Sequence, residues 1–340
     1  MNKLQYHIGL FGAAAAAAVA ITACNDLPTA PGVDQVARVA VTQRNGDQPA
    51  LFFGDVSGAS RERIHFSFIT DSIPDNLPGL IPTDSNLIAL GSPSISPSGD
   101  RIAVVATVAY DQSEIIVMRA NDSGYVASIN TQIIASDPEW SPDGTKLAYV
   151  MSTLPNFRGL DLFVTDLATK RVTRMTTNAN IRNGSIVWSA DGGAIYYSGT
   201  TGTSPDSPNN WVSEVVKVDV ATKSALVMAS NILGQVTSIA RSGNRMLLTR
   251  TVTQGADTTR ALIASTIGPA PTEQVLAGGV AYAHFLTGSD TYAVVVIATN
   301  DGGNVTDRFL LADIVRNTAI EVAGVQSQSG YANVDVMVPN

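Results

Sequence analysis

The chain has 340 residues, of which 45% are hydrophobic and 15% are charged, and its formal net charge is −8. This composition is typical of a globular protein rather than a disordered or fibrous one. The acidic balance, without a Lys/Arg-rich run, argues against nucleic acid or anionic lipid as a partner bound by charge. Because the chain has one cysteine, it can form neither an intrachain disulfide nor a cysteine-based zinc site.

Residues 1–23 have the features of a cleaved targeting segment. Lys3 supplies a positive charge near the N-terminus. The Ala-rich apolar stretch over 8–20 is shorter than the roughly 20 residues that span a bilayer. The sequence ITAC at 21–24 resembles a bacterial lipobox. This resemblance implies that Cys24 receives a diacylglycerol and becomes the mature N-terminus, which anchors the protein in a membrane. The alternative is an ordinary secretory signal with an incidental cysteine.

The next segment, 24–35, is predicted to be the lipidated cysteine and a flexible tether, since it contains Pro and Gly and has no hydrophobic period. Asn25 is unlike the Asp that marks retention in an inner membrane. If the source has two membranes, the outer membrane is therefore favoured; with one membrane, the protein would be displayed on the cell surface.

An internal repeat begins after residue 36. It consists of an apolar anchor residue, a tight polar turn and a second strand, as in WSPDGTKLAYV from 140. The second strand's first apolar residue falls seven positions after each anchor, at Ile102, Leu147, Ile195, Met246 and Tyr292. A third strand, ending at an Asp-led turn in most copies, and a short fourth strand follow. Four strands every 45–51 residues are typical of a propeller blade. The five anchors are Ile95, Trp140, Trp188, Ile239 and Phe285.

The two ends of the repeat region predict how the ring closes. Residues 38–58 fit a second and third strand without a first, and YANVDVMVP at 331–339 fits the missing first strand, with Val334 as the sixth anchor. We therefore expect an all-β, six-bladed propeller over 36–340, with four-stranded blades and a ring closed by pairing of the N- and C-terminal strands. In the alternative, 36–90 forms a whole blade and 331–338 adds a strand.

The block SPDGTKLAYV…LFVTDLATKRVTRMT, within 138–176, resembles the TolB-type propeller repeat. This repeat is related to WD-repeat blades and occurs in periplasmic TolB and in prolyl oligopeptidase-type peptidases. The resemblance implies the fold and says little about function. TolB has an α/β domain before its propeller, and the peptidases have an α/β-hydrolase domain after theirs. Neither is expected here, where the sequence predicts a bare propeller on a lipid anchor.

Candidate catalytic residues are few. Only His65 and His284 follow the targeting segment, there is no G-x-S-x-G motif, and His284 is expected to be structural. Asp137, Glu139 and Asp335 lie on or beside first strands, where a carboxylate pair at the pore mouth could serve glycoside hydrolysis. Acids at blade starts are, however, more often turn and cap groups. We expect no catalytic residue, cofactor or metal site, and the DGGN turn at 301–304 is only a weak half-loop for Ca²⁺.

A binding face is predicted from loop length. The loops between second and third strands and between blades are longer than the turns at the other end, which is typical of the working face of a rigid scaffold. Phe157, Arg158 and Trp211 lie in or beside these loops and are the candidate binding residues. In the alternative they pack on neighbouring loops. The segment 57–85 is either a binding flap or a surface insertion.

These patterns together favour a monomeric, lipid-anchored interaction module that binds an envelope protein, peptide or glycan through one propeller face. The first alternative is a propeller-type glycoside hydrolase or lyase with carboxylates at the pore mouth. The second is a purely structural envelope protein.

Overall fold

The computed structural model describes residues 38–45, 48–55, 61–64, 89–109, 112–120, 125–130, 135–152, 160–177, 179, 181–204, 207–254, 257–286, 289–301, 304–327 and 333–337. The predicted targeting segment, Cys24 and the tether lie outside these residues, as do Phe157, Arg158, His65 and most of the segment 57–85. Among the described residues, no helix is both long enough and apolar enough to cross a bilayer.

The described residues form 24 strands in antiparallel four-stranded sheets, which confirms the predicted blade type. Five sheets are continuous blades, each made of four consecutive strands. Blade 1 comprises β4 (Ala89–Ile95), β5 (Arg101–Ala109), β6 (Gln112–Arg119) and β7 (Tyr125–Asn130). Blade 2 comprises β8 (Ala135–Trp140), β9 (Lys146–Ser152), β10 (Leu160–Asp166) and β11 (Val172–Arg174).

The remaining continuous blades follow in chain order. Blade 3 comprises β12 (Ile181–Trp188), β13 (Ala194–Ser204), β14 (Ser207–Asp219) and β15 (Ala225–Leu233). Blade 4 comprises β16 (Gln235–Ile239), β17 (Arg245–Gln254), β18 (Asp257–Thr266) and β19 (Glu273–Gly278). Blade 5 comprises β20 (Val280–Phe285), β21 (Tyr292–Asp301), β22 (Asn304–Asp313) and β23 (Thr318–Ser327).

The sixth sheet is assembled from both ends of the described chain. Its strands are β24 (Asn333–Met337), β1 (Arg38–Asn45), β2 (Gln48–Asp55) and β3 (Arg61–Ile64), in that order. The predicted pairing of the terminal strands is thus present, and the alternative of a self-contained N-terminal blade is not. β24 also contacts β4 of blade 1 and β21 of blade 5, so this composite sheet closes the ring.

The first strand of each sheet lies innermost, and the hydrophobic core lies between adjacent blades. The predicted core tryptophans are confirmed: Trp140 and Trp188 are fully buried, and each also bonds to the preceding blade. The Trp140 indole N–H donates to the Ser94 carbonyl oxygen at 3.0 Å, and the Trp188 N–H donates to the Glu139 carbonyl oxygen at 3.1 Å. Each tryptophan therefore fixes the spacing of two inner strands.

The strand register confirms four of the predicted anchor pairs and corrects two details. Ile95, Trp140, Trp188 and Ile239 each pair with the apolar residue seven positions later. Phe285 instead pairs with Ala293, since the turn after β20 is one residue longer, with Leu286 N–H bonded to the Tyr292 carbonyl. In the composite sheet, Val336 pairs with Val39, the second residue of its strand. Each of the other five anchors also pairs with the second residue of the strand that follows it. Val336 therefore occupies the sixth anchor position, and the prediction of Val334 was wrong by two residues.

Candidate functional site

The central feature of the described structure is a recess on the propeller axis, lined by residues of every inner strand. It is narrow and partly open to solvent. At one end it includes Arg241, Leu286 and Ser289 from the turns that follow β16 and β20. We call this cavity the axial recess. Its principal polar lining residues are Ser92, Asp137, Glu139, Ser238, Arg241, Tyr282, His284 and Asp335.

Irregular inner strands shape this lining. The first strand of every continuous blade has a register shift against its second strand, for example between Ser136 and Glu139 in β8 and between Val280 and Tyr282 in β20. An extra residue in one strand of a ladder bends that strand and changes where its side chains point. Asp137 lies in the shifted part of β8 and has a left-handed backbone, with φ 54°. Such conformations persist in folded proteins only where neighbouring structure enforces them.

Three carboxylates of the recess come from two strands and serve different contacts. Asp137 Oδ1 accepts a hydrogen bond from the Ser92 hydroxyl of β4 at 3.2 Å. Asp335 is buried, and its Oδ2 accepts a hydrogen bond from the Ile95 N–H of β4 at 2.7 Å. Both carboxylates therefore hold β4, one from blade 2 and one from the composite sheet.

The third carboxylate, Glu139, has an unusual protonation equilibrium. Burial raises its pKa to about 8, with a further upward contribution from Asp335. Arg241 opposes this shift, whereas Asp137 adds to it. Three carboxylates thus share the recess with one guanidinium, and a buried cluster of like charges retains a proton when opposite charge is scarce. With its pKa at about 8, Glu139 is protonated near neutral pH.

The cationic and aromatic side of the recess comes from blades 4 and 5. One terminal nitrogen of Arg241 is buried without a hydrogen-bond partner in the described structure. The rings of Tyr282 and His284 lie 5.5 Å apart, and His284 Nδ1 is 3.0 Å from the Phe285 carbonyl oxygen. Burial, together with the three carboxylates, raises the pKa of Tyr282, so that its hydroxyl stays protonated and available as a donor. His284 lies on the innermost strand β20, as the sequence predicted, and also lines the recess.

A repeated contact fixes where each inner strand begins. In four blades, a Ser, Thr or Asp of the third strand bonds to the backbone of the linker, or of the first residue, that leads into the next blade. These pairs are Ser113 with Ala135 N–H, Asp161 with Ala179 N–H, Ser213 with the Gly234 carbonyl and Thr259 with Gly279 N–H. Since these linkers lead into β8, β12, β16 and β20, the contacts position the recess lining as well as the blades.

Trp211, the described candidate of the predicted binding face, does not belong to the axial recess. Trp211 is 42% exposed and pairs with Thr203, beside the connection between β13 and β14. That end of a blade is opposite the turns between first and second strands, which contribute Arg241 to the recess. Trp211 does not line the recess, and the other two predicted binding residues lie outside the described part of the chain.

The sequence reasoning missed four of the principal polar recess residues, but the repeat itself contains a signal for part of the lining. The missed residues are Ser92, Ser238, Arg241 and Tyr282. Positions three residues before an anchor include Ser92, Asp137 and Tyr282, and positions one residue before include Glu139 and His284. With Val336 as the sixth anchor, Asp335 also lies one residue before an anchor. The three carboxylates were predicted to lie near the pore, and the structure places them together there. Within the described residues, no group of three or more His, Cys, Asp or Glu side chains is arranged to hold a metal ion.

Comparison with known proteins supports the fold. No protein-family model and no curated protein sequence matches the chain. TolB from Acinetobacter baumannii is 16% identical, with a TM-score of 0.60 over 89% of this chain and 67% of that one. A putative TolB from Agrobacterium tumefaciens is 12% identical, with a TM-score of 0.51 over 89% and 98% of the two chains. At these identities the similarity establishes a TolB-like β-propeller fold and nothing finer.

Proposed function

We propose that this protein is a lipid-anchored binding module of the bacterial cell envelope, and that it binds a basic segment of a protein or peptide partner in the axial recess. The observation that carries this proposal is the composition of the recess lining. Residues from all inner strands converge on one rigid cavity, where three carboxylates face a single arginine. Rigid concave sites with a few convergent polar groups are typical ligand sites.

The charge of the recess favours a cationic ligand group. Even with Glu139 protonated, Asp137 and Asp335 outnumber Arg241. Attraction between opposite charges is stronger in a partly desolvated cavity than in water, so a lysine, arginine or amino terminus of a partner gains most inside the recess. Asp137 and Asp335 supply this negative charge, and both also accept hydrogen bonds from β4.

Anchoring is supported by the sequence at 21–24 and by the position of the single cysteine. An acyl chain contributes about 0.8 kcal/mol per buried CH₂, so the diacylglycerol expected on Cys24 would hold the propeller at a membrane surface. Metabolic labelling with a fatty-acid analogue tests this part. Label should enter the wild-type protein and be absent from Cys24→Ser, and equal labelling of both would overturn the lipid anchor.

A charged model peptide tests the recess directly. The full-length protein in detergent should bind a pentalysine peptide, with affinity that falls as salt is raised, and should not bind pentaglutamate. Asp137→Asn should weaken pentalysine binding by about tenfold, the change expected for loss of roughly 1.4 kcal/mol, whereas Glu139→Gln should change it little near pH 7, because Glu139 is already neutral there. Glu273→Gln is the matched control, because Glu273 is an ion-paired acid on β19 outside the recess. Equal binding by all four proteins would contradict the proposal.

The same experiment, repeated with envelope extract, separates the recess from the predicted face. A partner captured by wild type should be lost from Asp137→Asn and retained by Glu273→Gln. Retention by Asp137→Asn and loss from Trp211→Ala would instead place the contact at the β13–β14 hairpin.

A hydrolase or lyase is the second candidate, and one observation favours it. An acid with a pKa of about 8 beside two further carboxylates is the arrangement that acid–base catalysis of glycosidic bond cleavage uses. If this reading is correct, the wild-type protein should release reducing sugar from an envelope polysaccharide, and Glu139→Gln should abolish the release. No release from any envelope polysaccharide would reject it.

A further inference from the structure

We propose that the axial carboxylates form a pH-sensitive latch on ring closure, in which the proton on Glu139 keeps the C-terminal strand β24 bound to β4. This goes beyond partner binding, because it concerns the opening and closing of the propeller itself. The latch consists of Asp335 on β24, Ile95 and Ser92 on β4, and Asp137 and Glu139 on β8.

The composite sheet has a weaker covalent framework than the other blades. In blades 1 to 5, a short turn connects the inner strand to the second strand. In the composite sheet, the inner strand β24 and the second strand β1 come from opposite ends of the described chain, so no turn keeps them paired. Their pairing and the side-chain contacts of β24 with β4 therefore hold the ring closed. The Asp335–Ile95 hydrogen bond is buried and joins a side chain of β24 to the backbone of β4.

The charges around Glu139 come from all sides of the recess. Asp137 lies on β8 itself, Asp335 on β24, Arg241 in the turn after β16, and Tyr282 and His284 on β20. β4 contributes the neutral Ser92, and β12 contributes the apolar Ile186 and Val187. Arg241 is thus the one permanent cation among these described lining residues, and it faces three carboxylates.

Loss of the Glu139 proton adds a third negative charge to this cluster. Asp137 is constrained by the bulge in β8 and by Ser92, and Glu139 lies on the same short strand, so neither acid can move far from the other. Asp335 is carried by a strand with no connecting turn, and separation of β24 from β4 relieves the repulsion at the smallest cost. Because burial and Asp335 raise the pKa of Glu139 to about 8, Glu139 in the closed ring loses its proton slightly above neutral pH.

Hydrogen–deuterium exchange, read by mass spectrometry on the full-length protein in detergent, tests this latch. After correction for intrinsic exchange, protection of 333–337 and 89–95 should fall as the pH rises toward about 8, by up to tenfold per pH unit where opening releases the Glu139 proton, and should level off above that pH. Protection of Gln235–Ile239 and Arg245–Gln254 in blade 4 should stay constant over the same range, pH 6 to 9.

Glu139→Gln should keep both segments protected up to pH 9, since glutamine stays neutral, whereas Glu273→Gln should behave as wild type. If Glu139→Gln does not fold, Asp137→Asn provides the test: removing the Asp137 charge lowers the pKa of Glu139, so the transition should move to lower pH. Unchanged protection with pH, equal loss in all blades, or a Glu139→Gln protein that opens as wild type does would overturn the proposal. Loss of pentalysine binding without any of these exchange effects would contradict the latch alone and leave the binding function standing.

Discussion

The carboxylate of Asp335 accepts a hydrogen bond from the backbone N–H of Ile95, 240 positions earlier in the chain, at 2.7 Å. The equivalent contact between blades 4 and 5 uses a hydroxyl, since Ser238 Oγ accepts from the Phe285 N–H at 3.0 Å. Both acceptors precede an anchor by one residue and bond to the anchor of the next blade. Ring closure therefore reuses an ordinary contact between blades, with a carboxylate in place of a serine.

Removal of this carboxylate should weaken the fold at the composite sheet. Asp335→Ala leaves the buried Ile95 N–H without its acceptor, which typically costs about 1–3 kcal/mol of unfolding free energy. Urea denaturation of Asp335→Ala and of the turn variant Asp191→Ala measures the difference, because Asp191 accepts its bonds within an exposed turn. A cost for Asp335→Ala no larger than that for Asp191→Ala would contradict the role assigned to Asp335.

The protonation of Glu139 should make stability depend on pH. Its pKa is about 8 in the folded protein and near the ordinary value of 4.5 in the unfolded chain, so the folded state binds the proton more tightly. This contribution to stability is fully present below pH 4.5 and is lost as the pH rises to about 8. Unfolding free energies at pH 5, 6.5 and 8 should show that decline in wild type and a smaller one in Glu139→Gln. Parallel curves for the two proteins would refute the assignment.

Among the side chains that bond to the linkers between blades, Asp161 should be the one whose substitution costs the most stability. It is fully buried and accepts bonds from Arg174 at 2.6 Å, from the Thr176 hydroxyl at 3.0 Å and from the Ala179 N–H at 2.9 Å. Asp161→Ala removes the partner of all three donors, and we expect a loss of about 3 kcal/mol. Asp166→Ala, in an exposed turn of the same blade, should cost less than half as much in the same denaturant titration. Similar losses would mean that the buried cluster is not what holds this linker.

Two glycines with the same left-handed backbone should respond differently to alanine. Gly243 has φ +69°, and a Cβ there would overlap the Tyr196 ring of blade 3, whereas Gly279 has φ +71° and open space around it. Gly279→Ala should therefore cost only the conformational penalty of about 1 kcal/mol. Gly243→Ala should cost several times more, because the overlap pushes blades 3 and 4 apart. Thermal unfolding of the two variants compares them, and equal shifts in Tm would disprove the close packing at Gly243.

The sequence determined the blade pattern because that pattern is local. Anchor, turn and second strand lie within about a dozen residues, and their hydrogen bonds form inside one turn. For example, Asp143 Oδ1 accepts hydrogen bonds from the Ser141 hydroxyl and from the Thr145 N–H. Four anchor pairs, the buried tryptophans and the pairing of the chain ends were therefore predictable from residue spacing. The location of Asp137, Glu139 and Asp335 near the pore followed from their places on or beside first strands.

Tertiary structure decided what those residues do together. Val336 replaces Val334 as the sixth anchor because the register of β24 depends on its partner strand β1, which is distant in sequence. The bulges that turn Asp137 and Tyr282 toward the axis arise where inner strands pair with second strands. The pKa of Glu139 depends on burial and on charges from other strands, chiefly Asp335, Arg241 and Asp137. These properties depend on distances between residues that are far apart in sequence, and such distances cannot be read from a repeat pattern.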